Sequence, residues 1–159
     1  MSAESIQQVF QEAYDAHRDA IETGTHLFSQ LDLRSVEVEG ADCAMELALT
    51  PSLTNPRGAL QGGLIATLAD IVAGQAVFIG QAPDFAAATA DLSVHYLAPV
   101  MVGPARGEAH ILRRGRTTVV VRVDIRDVGA DRLAAASTVT YTVLPARVPS
   151  SGPSGPSGA

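Results

Sequence analysis

The chain contains no lysine; all 11 of its Lys/Arg cations are arginine. A Schiff-base mechanism on a lysine is therefore excluded. It has a single cysteine, Cys43. No internal disulfide can form, and no Cys/His spacing resembles a zinc site. Cys43 falls in an alternating stretch and reads as a small core residue. The four histidines, His17, His26, His95 and His110, are scattered and form no His-Glu-x-x-His pair. A Gly-x-Ser-x-Gly nucleophile elbow is absent, as are the glycine motifs of Rossmann and P-loop proteins. No apolar run approaches the roughly 18 residues that span a bilayer, so no membrane partner is expected. The opening MSAESIQQVF lacks the basic stretch and apolar core of a signal peptide, which points to the cytoplasm. Positive charge is scarce: the net charge is −6 and the pI about 5.0. That argues against general nucleic-acid binding, which wants a basic face.

What remains is the composition of a folded protein. With 159 residues, 47% hydrophobic and 18% charged, one domain with a real core is expected. Residues 3–23 read as an N-terminal helix: Ile6, Val9, Phe10, Ala13, Tyr14 and His17 recur at i, i+3, i+4 spacing, and Gly24 ends it. Residues 31–39 and 42–49 read as two strands around a turn at Gly40-Ala41. A loop over 50–61, rich in Pro and Gly, leads into a long helix over 63–79. Three or four strands follow, over 87–96, 103–113, 117–127 and 132–144, the last three joined by tight turns and hence antiparallel. In the third, Val119, Val121, Val123 and Ile125 alternate with Val120, Arg122, Asp124 and Arg126. The Gly/Pro/Ser tail over 146–159 cannot bury enough apolar surface to order itself. The pattern predicts an α+β domain over about 25–145, with one antiparallel sheet and one buried helix.

That helix carries one acid, Asp70, among Ala, Leu, Ile, Val and Gly. On a helical wheel, Leu64, Ile65, Leu68, Ile71, Val72, Gln75 and Ile79 form a bulky stripe suited to the sheet. The opposite side, Gly63, Ala66, Thr67, Asp70, Ala73, Gly74 and Val77, is small and scarcely polar, unlike a surface helix. Small residues admit a close neighbour, most simply a second subunit, so Asp70 is expected in or beside an interface. A carboxylate there is costly unless paired. It either works as a base or bonds a neighbouring group structurally. Gly62-Gly63 stands where loop becomes helix. The first N–H groups of a helix lack intrahelical partners and can stabilise an oxyanion.

Asn55, Gly58, Gln61-Gly62-Gly63 and Leu68-Ala69-Asp70 together resemble the hotdog-fold acyl-CoA thioesterases of the phenylacetic-acid-degradation type. "TADLSVHYLAPV" (89–100) and "RRGRTTVVVRVDI" (113–125) resemble that family's next strand and hairpin. The resemblance covers about residues 25–144. It implies a curved antiparallel sheet wrapped around the long helix, and hydrolysis of an acyl-CoA thioester with no metal and no cofactor beyond coenzyme A in the substrate. It implies that Asp70 is general base or nucleophile, and that the Gly62 N–H polarises the thioester carbonyl, with Gly63 beside it. Asn55 then places the water or the carbonyl, and Thr89 supplies a hydroxyl across a dimer. The family forms homodimers, often paired into tetramers. Its usual His before the Gly pair is Gln61 here. Gln61 can donate a hydrogen bond and orient Asn55 or the carbonyl, but it cannot act as an acid or base near pH 7.

Arg113, Arg114 and Arg116 cluster around Gly115. They read either as a solvated hairpin tip or as a clamp for the phosphates of coenzyme A, with Thr117 and Thr118 adding hydroxyls. Asp91 is expected on the same strand face as Thr89. Two competing readings stand beside the thioesterase. One is a non-catalytic acyl-CoA-binding hotdog protein, favoured by Gln61 and opposed by Asp70. The other is a hotdog dehydratase or hydratase, opposed by the lack of a His in the matching stretch.

Overall fold

The computed structural model describes residues 19–20, 22–82 and 85–144. Most of the expected helix over 3–23, and the tail over 146–159, lie outside these residues. The end of that helix is inside. Gly24 takes φ +70°, and the N–H groups of Thr25 and His26 both return to the Ala20 carbonyl at 2.9 Å. This left-handed termination is the reason glycine stands there.

Among the described residues six strands and one long helix follow: β1 (Leu33–Val36), β2 (Cys43–Leu47), α1 (Gly62–Phe78), β3 (Ala86–Tyr96), β4 (Ala105–Arg114), β5 (Thr118–Asp127) and β6 (Arg132–Leu144). They form one antiparallel sheet in the order β1-β2-β4-β5-β6-β3. The chain crosses from β2 to the far edge through α1, which lies against one face of the sheet. This is the α+β hotdog arrangement expected from the sequence. Among the described residues no helix is long and apolar enough to cross a membrane.

Period-2 alternation sets the two faces of the sheet. On β5, Val119, Val121, Val123, Ile125 and Asp127 are all buried. The outer face carries paired charges: Arg122 bonds Asp124 at 2.8 Å, and Arg106 bonds Glu108 at 2.8 Å. Residues two apart on a strand share a face, so each pair lies along its own strand.

The helix sits one residue away from its expected rotation. Its buried residues are Ile65, Leu68, Ala69, Val72, Ala73, Ala76 and Val77, while Gln75 and Ile79 are exposed. Close approach decides this, rather than bulk. The inward side of β4 is small, with Ala105, Gly107 and Ala109 all buried. A Cβ on Gly107 would come within 3.0 Å of Val72 Cγ2. The alanines of α1 therefore pack inward with Val72. Ala66, Thr67, Asp70, Ile71 and Gly74 keep partial exposure. The small outer face survives, without Ala73 and Val77.

Candidate active site at the start and middle of the helix

Asp70 lies midway along α1 and is partly exposed. Its Oδ1 accepts hydrogen bonds from Thr89 Oγ1 and from the Tyr141 hydroxyl, each at 2.9 Å. The Tyr141 hydroxyl also reaches the backbone carbonyl of Asp70 at 2.8 Å. Oδ2 takes no hydrogen bond among the described residues and is open to solvent. Thr89 reaches Asp70 within the same chain. Tyr141 is nearly inaccessible, at 4% exposure. Burial pushes its phenol up to about 12, and the neighbouring Asp70 charge acts in the same direction. Tyr141 was missed in the sequence. Its inward phase with Val139 and Val143 was readable, but a contact with a residue 71 positions away was not.

A bulge in β3 makes this arrangement. Thr89 stands opposite Tyr141, whereas Asp91 stands opposite Thr140, so Ala90 is the extra residue. Paired residues share a face. Thr89 therefore faces α1 with Tyr141, and Asp91 faces away, contrary to the expected alternation. Beyond the bulge the parity is reversed: Leu92, Val94 and Tyr96 turn inward opposite Val139, Ser137 and Ala135. One strand thus delivers Thr89 to Asp70 and Tyr96 to the start of the helix. Bulges re-aim side chains beside active sites in this way.

At the start of α1 the loop is fixed by its own backbone. Asn55 Oδ1 accepts from Arg57 N at 2.9 Å and Ala59 N at 3.3 Å, and Asn55 N donates to the Ala59 carbonyl at 2.7 Å. Gly58 takes φ +79° at this turn, where a side chain would be strained. The oxygen of Asn55 is thereby committed to the loop, and only its amide nitrogen remains to meet a ligand. Gln61 caps the helix with its backbone. Its side-chain Nε2 donates to the Thr54 carbonyl at 3.4 Å rather than to Asn55. The Leu64 and Ile65 N–H groups turn back to the Gln61 carbonyl at 3.0 and 3.2 Å. Those of Gly62 and Gly63 have no partner among the described residues. The Tyr96 hydroxyl donates to the Gly62 carbonyl at 2.8 Å, with its ring against Gly62.

Asp70 lies eight positions after Gly62, which at 1.5 Å per residue is about 12 Å along the helix. Within one chain, the free N–H groups and the free carboxylate oxygen cannot act on the same carbonyl. The aromatic side chains around the helix are divided likewise. Phe78, the last residue of α1, meets Phe85 edge-on at 5.4 Å, and Tyr96 stands at the other end.

Arg114 is not free to clamp a phosphate. Its two terminal nitrogens donate to the carbonyls of Val77 at 2.9 Å and Ala76 at 3.1 Å. These are carbonyls of the last helical turn, where a cation is favourable. α1 has no basic residue in its own last turn, and that absence was the available signal. Arg113, Arg116 and Thr117 stay exposed around the turn, and Thr118 joins β5 opposite Thr142.

Asp127, also overlooked in the sequence, is fully buried and holds the loop behind the helix start. Its carboxylate accepts from the N–H groups of Met101 (2.8 Å), Val102 (3.2 Å) and Gly103 (2.7 Å). Burial opposes its charge, but the three N–H groups and nearby Arg132 outweigh that and hold the carboxyl below its usual range. The same loop gives its Val100 carbonyl to Leu60 N at 3.0 Å, two residues before Gly62.

Known proteins share both sequence and fold. The family model described as "Thioesterase superfamily" matches residues 57–134. The "Putative esterase F42H10.6" of Caenorhabditis elegans is 32% identical over 115 residues, covering 72% of this chain and 68% of that protein. Among solved structures, BH2602 protein from Bacillus halodurans with CoA superimposes with a TM-score of 0.69 at 26% identity, over 86% of this chain and 94% of the other. A phenylacetic acid degradation-related protein from Ralstonia eutropha gives a TM-score of 0.61 at 29% identity, over 72% and 85% of the two chains. With its helix-wrapping sheet, its glycine pair at the helix start and its relatives, the chain belongs to the thioesterase superfamily of hotdog proteins.

Proposed function

We propose that the chain hydrolyses acyl-CoA thioesters, at a site that two copies complete. The observation that carries this reading is the Asp70 carboxylate, with one oxygen held by two hydroxyls and the other open. Oδ2 takes a proton from water as the water oxygen attacks the thioester carbonyl. The oxyanion forms against the free N–H of Gly62, with Gly63 beside it. Collapse of the tetrahedral intermediate breaks the C–S bond, and the departing thiolate receives the proton. No metal or redox group is needed for this sequence of steps.

The 12 Å gap is met by a second copy. β3 is an edge strand of 11 residues, long enough to template another chain. A two-fold axis across two antiparallel β3 edges sets the two α1 helices antiparallel. Gly62 of one copy then approaches Asp70 of the other. Solution of BH2602 protein with CoA supports coenzyme A as the carrier. Arg116 and Thr117, with Arg113, are the exposed groups offered to its phosphates. The binder reading leaned on Gln61, whose amide now has a structural task on Thr54 that requires no proton transfer.

The test is thiol release from a panel of acyl-CoA thioesters, with Asp70→Asn beside the wild type. Loss of a general base lowers kcat by about 10²- to 10⁴-fold. Equal turnover by the two proteins would remove Asp70 from the chemistry.

A further inference from the structure

Gly74 has no part in the reaction as proposed, yet it decides where the Tyr141 hydroxyl can stand beside Asp70. The Tyr141 hydroxyl lies between Asp70 and the backbone of α1 one turn further on. A Cβ built on Gly74 would stand 3.1 Å from that hydroxyl oxygen. A side chain there would press the phenol away by a few tenths of an ångström from a position where it reaches both the Asp70 carbonyl at 2.8 Å and Oδ1 at 2.9 Å. Glycine in a helix interior is otherwise disfavoured against alanine, so its presence here has a local cause. The ring itself is buried in the core with Val139 and Val119, and its direction is fixed by packing.

We infer that Tyr141, admitted by the gap at Gly74, is a positioning residue that holds Oδ1 of Asp70 and leaves Oδ2 as the oxygen that takes the proton from water. Oδ1 already accepts from two hydroxyls, Tyr141 and Thr89, on the side of the sheet. A carboxylate so held cannot rotate to exchange its oxygens without breaking both bonds. Oδ2 is then fixed in direction as well as identity. Burial pushes the phenol's titration up to about 12, so it remains a hydrogen-bond donor at neutral pH. This inference rests on the proposed role of Asp70 as base.

The experiment measures kcat and KM for thioester cleavage in Tyr141→Phe and Gly74→Ala, each in the wild-type and Asp70→Asn backgrounds. Tyr141→Phe keeps the buried ring and removes only the hydroxyl. Misplacement of a reacting group by a fraction of an ångström lowers kcat by about 10- to 100-fold, with KM within about twofold. Gly74→Ala displaces the same hydroxyl and is expected to lower kcat in the same sense. In the Asp70→Asn background neither change alters the residual rate, because there is no base left to position. Unchanged kcat in Tyr141→Phe overturns the inference while leaving Asp70 as base. A loss that persists undiminished in the Asp70→Asn background also overturns it, since the effect is then on the fold. Full activity of Asp70→Asn alone overturns the reading on which it rests.

Discussion

Substituting Asp127 with asparagine tests how the helix start is held. Oδ2 accepts from Met101 and Val102, and Oδ1 from Gly103. An amide has one acceptor oxygen. It does best by keeping that oxygen at the pair and turning its NH2 toward the Gly103 N–H. One charge-assisted bond is lost and a buried donor is left facing a donor. A lost bond to a charged group costs about 1.5–3 kcal/mol, and an unsatisfied buried N–H about 1–3 kcal/mol. The expected destabilisation is about 3 kcal/mol, or a fall in Tm of about 10 °C for a domain of this size. Thermal unfolding followed by circular dichroism at pH 7 and fixed protein concentration measures it. The sign with pH follows from linkage. The folded carboxyl lies below its usual 3.8, so its contribution is full above that value and is lost as pH falls through the lowered one. The difference between wild type and variant should therefore narrow below about pH 4. A fall of less than about 3 °C at pH 7, or an equal difference in strong acid, would refute the clamp.

Two further outcomes are expected. Arg114→Met removes two bonds to the last carbonyls of α1 and should cost about 1–2 kcal/mol in unfolding experiments, with KM for CoA thioesters changed less than twofold. A tenfold rise in KM at unchanged stability would instead return Arg114 to the phosphate clamp. Tyr141 titrates at about 12 folded against 10.0 in its ordinary state. A raised value means that its contribution is full below pH 10 and lost as pH rises toward 12, where the unfolded chain has already released the proton. Denaturant unfolding should show stability falling over that interval in the wild type, and a smaller fall in Tyr141→Phe.

Much of this was readable in the chain. The valines of β5 announce their alternation, and Asp70 stands out because, Gln75 apart, every other residue of α1 is apolar or small. The bulge was not readable. The first half of β3 is Ala-Ala-Ala-Thr-Ala, and small residues give no contrast between inward and outward positions. The parity change at Ala90 therefore leaves no mark, and Asp91 was assigned to the wrong face. Arg114 misled for a different reason. A run of arginines at a hairpin looks like a binding patch when its acceptors are carbonyls 37 and 38 residues away. Rotation of the helix was set by small residues on β4, which the wheel of α1 alone does not contain.

The extra residue in β3 also governs how this strand can change. Thr89 and Tyr96 are seven positions apart, an odd number, yet both address the helix. A strand of strict period two cannot do that, so the two ends of the strand obey opposite rules of parity. Side chains beside the acid can vary without disturbing those beside the glycine pair. The weak point is length rather than identity. Loss of Ala90 alone would restore a uniform ladder. It would separate Thr89 from Asp70, or else Tyr96 from Gly62, with every residue named in the site still present in the gene.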